Sequence, residues 1–154
     1  MNKIFMISAV ISLALMSTSS PAGENFRTHC KGHNEVPPVT TRGQCQANFK
    51  LTADGTGLEY RLNVANLEAV TQAHIHLAPA GSNGPVVAFL FGFVPEGSSE
   101  SGTLAQGIIT AADLRGPLTG LTIDDLVDEI LNGNTYVNVH TQANPPGEVR
   151  GQIH

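Results

Sequence analysis

The stretch QAHIHLAPAGSNGPVVAFLF, from Gln72 to Phe91, contains a strand pattern, a turn and a second strand pattern. Polar and apolar residues alternate from Gln72 to Leu77, which is typical of a strand with one buried face. A loop rich in glycine and proline follows, and the run from Pro85 to Phe91 is apolar, as expected of a buried strand. This stretch therefore predicts β-structure, with two histidines on one strand.

Alternating segments recur through most of the chain, and turn signals such as ADGTG and QANPPG separate them. The period becomes helical in one clear place, TIDDLVDEILNGN, where Thr122 is a suitable N-cap and Gly133 a suitable stop. Many short strands with one small helix predict an all-β, antiparallel sandwich or flattened barrel. The other predicted strands are Gly43 to Leu51, Leu58 to Leu67, Leu104 to Thr110, Thr135 to Thr141 and Gly147 to Ile153.

The first residues predict a secretory signal peptide over 1–22. Lys3 gives a short positive region, an apolar run ends at Met16, and the small residues Ser20 and Ala22 suit a cleavage site before Gly23. The apolar run is too short to span a bilayer, and no later segment is apolar and long enough. We therefore expect a secreted or periplasmic protein with one domain over 23–154 and no membrane span in the mature chain.

Charge and composition argue against nucleic-acid binding. From Gly23 onward there are thirteen acidic and seven basic residues, the basic ones are scattered singly, and the chain has no tryptophan. Nucleophilic catalysis is not indicated either, because the chain has no Gly-x-Ser-x-Gly motif. The sequence favours a protein that is not an enzyme.

Cys30 and Cys45 are the only cysteines. In an exported chain an even number of cysteines predicts a disulfide. A disulfide that closes a loop of this length stabilises the folded protein by about 3 kcal/mol. The alternative is a cysteine-containing metal site, since His29 and His33 lie nearby in sequence. We favour the disulfide.

Three histidines are candidate metal ligands. On a strand His74 and His76 point to the same polar face, whereas Ala73 and Ile75 point to the other. In the segment TYVNVHT the side chains of Tyr136, Asn138 and His140 share the polar face in the same way. If the two strands are neighbours, three imidazoles converge, and such ligands suit copper or zinc. The simpler interpretation is that each histidine is an ordinary residue on a solvated strand face.

Two carboxylates could complete or orient such a site, namely Glu35 and Glu148. Arg150 lies on the same strand face as Glu148, so an ion pair with an arginine is the simpler role. We favour that role for both carboxylates. With Tyr136 and Asn138, these residues form a predicted polar network.

Four longer segments of the mature chain share the motifs of a known family. They are GHNEVPPVTT, ADGTGLEYRLNVANLE, AHIHLAPAGSNGPVVAFLF and DDLVDEILNGNTYVNVHTQANPPGEVRGQI. In these segments the chain resembles the CHRD domain, the module named after chordin, from about Phe26 to Ile153. The resemblance implies an immunoglobulin-like β-sandwich of Greek-key type. In chordin such domains belong to a secreted antagonist of bone-morphogenetic signalling, whereas most relatives are single-domain secreted bacterial proteins without an established activity.

Two functions follow from these observations. The first is a non-catalytic binding or structural module, whose partner is an extracellular or envelope protein. The alternative is a mononuclear copper or zinc protein that uses His74, His76 and His140, and that is redox-active if copper keeps an open position. A looser likeness to copper/zinc superoxide dismutase fails because no histidine lies between His76 and His140 to bridge two ions.

Overall fold

A computed structural model describes residues 23–154, so the predicted signal peptide lies outside the described residues. This part of the chain forms eight strands, one α-helix and three short 3₁₀ turns at Gly32–Asn34, Ala111–Asp113 and Gly116–Leu118. The helix, α1, is Ile123–Leu131. The strands are β1 Asn25–Lys31, β2 Gln44–Leu51, β3 Gly57–Ala65, β4 Val70–Leu77, β5 Val86–Phe91, β6 Gly102–Thr110, β7 Thr135–Thr141 and β8 Val149–Gln152.

All eight strands pair antiparallel in one sheet, in the order β5-β4-β7-β8-β1-β2-β3-β6. The sheet curves so far that its two edges approach each other, and Tyr60 of β3 donates a hydrogen bond of 2.7 Å to the carbonyl oxygen of Leu90 in β5. The predicted all-β, antiparallel class with one short helix is confirmed. The division into two sheets and the Greek-key arrangement are not confirmed, because the strands hydrogen-bond in one unbroken series that is nearly a barrel.

The inner face of the sheet holds the apolar core that alternation predicts. Cys45, Ala47, Phe49 and Leu51 of β2 are all buried, and the intervening residues are exposed. The apolar side of α1 joins the same core. As predicted, Thr122 caps this helix, accepting a hydrogen bond from the Asp125 N–H while the Asp125 carboxylate accepts one from the Thr122 N–H.

Strand β1 was not predicted from the sequence. It pairs with β2 along its whole length and places Cys30 directly opposite Cys45, and the two form a disulfide. The disulfide prediction is therefore confirmed. His29 lies on the exposed face of β1, opposite to Cys30, so the alternative cysteine–histidine metal site is wrong.

The other face of the sheet is covered where β4 and β7 lie side by side. Every residue of β7 is buried, including the polar ones that alternation assigns to the outer face. Three loops, residues 32–43, 78–85 and 142–148, reach over this region through hydrogen bonds such as those from Asn83 to Val36 and from Asn138 to Glu35. The predicted polar face is therefore an interior layer, and it holds the candidate site.

Candidate metal centre

Three histidines converge on the outer face of strands β4 and β7. The register places Gln72 opposite His140, His74 opposite Asn138 and His76 opposite Tyr136, so the three rings surround one point. The ring centroids of His74 and His76 are 5.5 Å apart, and that of His140 lies 4.9 Å from His74 and 6.0 Å from His76. One ligand nitrogen from each residue lies within 4.8 Å of the other two. We call these three residues the histidine cluster.

The histidine cluster is largely shielded from water. His74 is 4% exposed and His140 6% exposed, so the interpretation as ordinary solvated residues does not describe them. Phe89 of β5 packs edge-to-face against His74, with ring centroids 4.7 Å apart. Tyr136 stacks on His76, with centroids 4.9 Å apart and planes within 10°. Aromatic rings therefore cover the cluster on two sides.

Backbone carbonyls determine which nitrogen carries the proton on two of the rings. Nδ1 of His76 lies 2.9 Å from the carbonyl oxygen of Gly84, and Nδ1 of His140 lies 2.9 Å from that of Pro145. Because a carbonyl oxygen only accepts, both Nδ1 atoms are protonated and both Nε2 atoms carry a lone pair. His74 then donates from Nδ1 to Nε2 of His140, at 3.1 Å, and its own Nε2 also keeps a lone pair.

Two of these lone pairs have no hydrogen-bond partner. Nε2 of His74 and Nε2 of His76 are both buried and unpaired. A buried polar atom left without a partner costs about 1–3 kcal/mol, so native structures rarely leave one unexplained. Here two occur within a single cluster.

Burial also keeps the rings neutral. Desolvation, reinforced by the charges that His140 and His76 would carry, lowers the pKa of His74 to about 3. Desolvation lowers the pKa of His76 to about 4, against the opposing effect of its hydrogen bond to Gly84. The pKa of His140 is lowered for the same primary reason. Protons therefore compete little with a metal ion for these lone pairs at neutral pH.

The nitrogens fit one ion after a small adjustment. Two nitrogens bound to a tetrahedral zinc at 2.0–2.1 Å are about 3.3 Å apart. One ligand nitrogen from each histidine lies within 4.8 Å of the other two, so the rings would move inward by up to about 1.5 Å to reach this spacing. The carbonyl partners of His76 and His140 are typical of outer-shell groups that orient metal ligands.

Glu35 lies beside the cluster and is buried under the loop that carries it. One carboxylate oxygen accepts a hydrogen bond from Nδ2 of Asn138, the residue opposite His74. Desolvation raises the pKa of Glu35 to about 7, although the bond from Asn138 and the charge of Arg150 oppose that rise. Near neutral pH this carboxyl is therefore partly protonated.

The carboxylate of Glu148 has a structural role. Its two carboxylate oxygens accept hydrogen bonds from the hydroxyls of Thr41 and Thr141, both at 2.6 Å, and from Nδ2 of Asn144 at 3.1 Å. The side chain thereby joins the loop 32–43, the end of β7 and the loop 142–148. The same loop supplies the Pro145 carbonyl that orients His140.

Arg150, which the sequence suggested as a partner for Glu148, makes other contacts. Its guanidinium donates to the carbonyl oxygens of Pro79 and Ser82 and to Oδ1 of Asn83, and so holds the loop 78–85. Its Cζ lies 3.4 Å from the ring centroid of Tyr136. Because β4 and β8 flank β7 on opposite sides, the Tyr136 ring lies between Arg150 and His76.

Several site residues were not predicted from the sequence. Phe89 belongs to an apolar run interpreted as wholly buried, yet it is half-exposed over His74. Gly147 has a φ of +136°, and a Cβ there would lie 2.5 Å from Oδ1 of Asn138 and 2.8 Å from Oε1 of Glu35. Only glycine allows this close approach, and its place after two prolines was interpreted only as a turn signal.

Comparisons with known proteins agree with this architecture. Residues 26–153 match the family model described as the CHRD domain. Chordin from Xenopus laevis is 30% identical over 127 residues, which cover 77% of this chain but only 12% of that chordin. No solved structure gives a significant match. In the part of the chain that the structure describes, no helix has the length and apolar character needed to cross a membrane. This chain belongs to the CHRD domain family.

Proposed function

We propose that this chain is an exported, non-catalytic CHRD module that binds one copper or zinc ion through His74, His76 and His140. The single observation that carries the proposal is the pair of buried, unpartnered Nε2 atoms beside a third imidazole. An ion would use the two lone pairs that the protein leaves free, and Nε2 of His140 would exchange its hydrogen bond from His74 for the ion.

The chemistry of the ligand set favours these two metals. Neutral imidazoles suit copper and zinc, whereas calcium and magnesium take oxygen ligands. The cluster has no thiolate, since Cys30 and Cys45 are joined to each other. Three histidine ligands leave a further coordination position, so the site supports metal storage or transfer with either ion, and electron transfer with copper.

Export is supported by the sequence of residues 1–22, which has the form of a signal peptide cleaved before Gly23. The family also suggests a secreted or extracellular protein. An oxidising compartment is consistent with the Cys30–Cys45 disulfide.

A second candidate function is protein binding, with an extracellular or envelope protein as the partner. It is supported by the similarity to a stretch of chordin. In this case the histidine cluster would serve to hold strands β4 and β7 together, and metal would not be needed.

The test is the metal content of the mature chain, purified without a histidine tag and offered copper or zinc at micromolar concentration. Metal is measured by mass spectrometry in the native chain and in a His74/His76/His140→Ala variant. The matched control is His29/His33/His154→Ala, which removes the other three histidines, all of them exposed.

We expect about one ion per chain in the native protein and in the control, and none in the cluster variant. No bound metal in the native protein would overturn the metal proposal and favour the protein-binding function. Equal loss of metal in the two variants would also overturn it, because binding would then not depend on the cluster.

A further inference from the structure

A cavity of about 350 Å³ lies next to the histidine cluster, under the loops 32–43, 78–85 and 142–148. Its walls combine apolar side chains, among them Pro37, Val39 and Pro146, with polar groups of Glu35, Tyr136 and Asn138. A volume near 300 Å³ is the lower end of the range for sites that bind small molecules. The cavity is therefore large enough for a ligand of a few atoms.

The cavity reaches the histidine cluster at His76, and two of its other wall residues lie next to groups that contact His74 and His140. The ring of His76 forms part of its wall. Asn138, another wall residue, lies directly opposite His74 in the strand register. Pro146 follows the Pro145 carbonyl that accepts from His140. A ligand in the cavity would thus lie beside the ion that the cluster is proposed to hold.

We propose that this cavity admits a small monoanion, of the azide or formate class, which binds the ion at the position left free by His74, His76 and His140. The inference rests on the proposed metal site, since it assigns the remaining coordination position of that site. It goes beyond metal binding because it makes the ion accessible to an outside ligand.

The hydrogen-bonding groups of the cavity define the ligand class. Asn83, Asn138 and Asn144 already donate to Val36, Glu35 and Glu148. The amides of Asn83 and Asn144 each keep a second N–H. The other polar groups are the Glu35 carboxyl and the hydroxyl of Tyr136, which among the hydrogen bonds of residues 23–154 serves only as an acceptor, from the Gly84 N–H. Both can donate to a ligand.

The cavity wall contains no lysine or arginine, and it includes the Glu35 carboxyl. The charge of an anion would therefore be balanced by the metal ion itself. A carboxylate in the wall would repel a ligand with several negative charges more strongly than a ligand with one. These features favour a compact monoanion.

The experiment uses the mature protein loaded with Cu²⁺ and titrated with azide, and the azide-to-copper charge-transfer absorption reports binding. Val39→Phe fills the cavity without removing a histidine, and Val39→Leu does so to a smaller extent. The matched control is Thr40→Phe, which adds the same ring to the same loop at an exposed residue outside the cavity wall. Copper retention shows that each variant is folded.

We expect azide to bind native and Thr40→Phe proteins equally, to bind Val39→Phe at least tenfold more weakly, and to bind Val39→Leu with intermediate affinity. If the native protein holds copper but azide gives no new absorption, or if azide binds all variants equally, the inference is wrong and the metal site stands. If the native protein holds no copper, the proposed function fails and the inference fails with it.

Discussion

The protonation state of a single carboxyl connects the site to the stability of the protein. Burial raises the pKa of Glu35 from 4.5 to about 7, so the folded chain holds this proton more tightly than the unfolded chain does. The stability that results is complete below pH 4.5 and is lost as the pH rises through 7. Above pH 7 the folded protein must bury a charged carboxylate near Asn138.

Glu35→Gln removes the cost of burying a charged carboxylate, and it keeps an oxygen that accepts a hydrogen bond from Asn138. We expect the variant to match the native protein at pH 4.5 and to exceed its free energy of unfolding by about 1–3 kcal/mol at pH 8, since each pKa unit is worth about 1.4 kcal/mol. Urea denaturation at the two pH values measures the difference. A constant difference across this range would contradict the assignment of the raised pKa to Glu35.

Strand β7 and the loop that follows it position the residues of the site. Its inner residues Val137 and Val139 fix the strand in the core, and its outer residues supply Asn138 and His140. Glu148 ties the loop 142–148 to the end of β7 and to the loop 32–43. The orientation of His140 therefore depends on a carboxylate that does not touch it.

Glu148→Ala leaves the hydroxyls of Thr41 and Thr141 without their acceptor. We expect a loss of about 2–4 kcal/mol in stability, because a buried network is broken at its centre. We also expect metal affinity to fall about 10- to 100-fold, as for other outer-shell changes. Calorimetric titration measures the affinity, with Glu100→Ala as a control at an exposed glutamate. An unchanged affinity would show that the loop does not orient His140.

Alternation was sufficient to predict most elements, because strands such as β2 bury one face and expose the other, and because alternating residue types persist in β7 although all of its residues are buried. It failed for β1, whose seven residues begin shortly after the predicted signal peptide, although they alternate clearly in burial. The convergence of His74, His76 and His140 was predicted only on the condition that two strands lie side by side. Their pairing, the covering loops and the cavity depend on contacts between distant segments, which periodicity does not report.

Folding of the whole molecule lowers the pKa values of the histidine cluster. In the unfolded chain His74, His76 and His140 bind protons below about pH 6.5. In the folded, metal-free chain the pKa of His140 is lowered, and His74 and His76 bind protons only as the pH approaches 3–4. The folded state therefore loses stability as the pH falls below 6.5. Glu35 acts in the opposite direction between pH 4.5 and 7, but it is one group against three.

For the metal-free protein we expect the free energy of unfolding to fall by about 1–3 kcal/mol per pH unit near pH 5.5. In a His74/His76/His140→Gln variant the slope should reverse sign, because only Glu35 remains. Urea denaturation between pH 7 and 5, with a chelator present, measures both slopes. The same slope in the two proteins would mean that other groups cause the pH dependence.

The pairing of β4 with β7 also has a consequence for the order of events during synthesis. His74 and His140 are 66 residues apart in the chain, and the oxygens and donors that orient the cluster extend to Glu148 and Arg150. Of the cluster, a nascent chain that is still emerging from the ribosome presents only His74 and His76, a weak two-ligand pair. If the cluster binds metal as proposed, its full affinity would arise only after nearly the whole sequence has been translated and folded, and the compartment in which folding is completed would determine which ion the protein first meets.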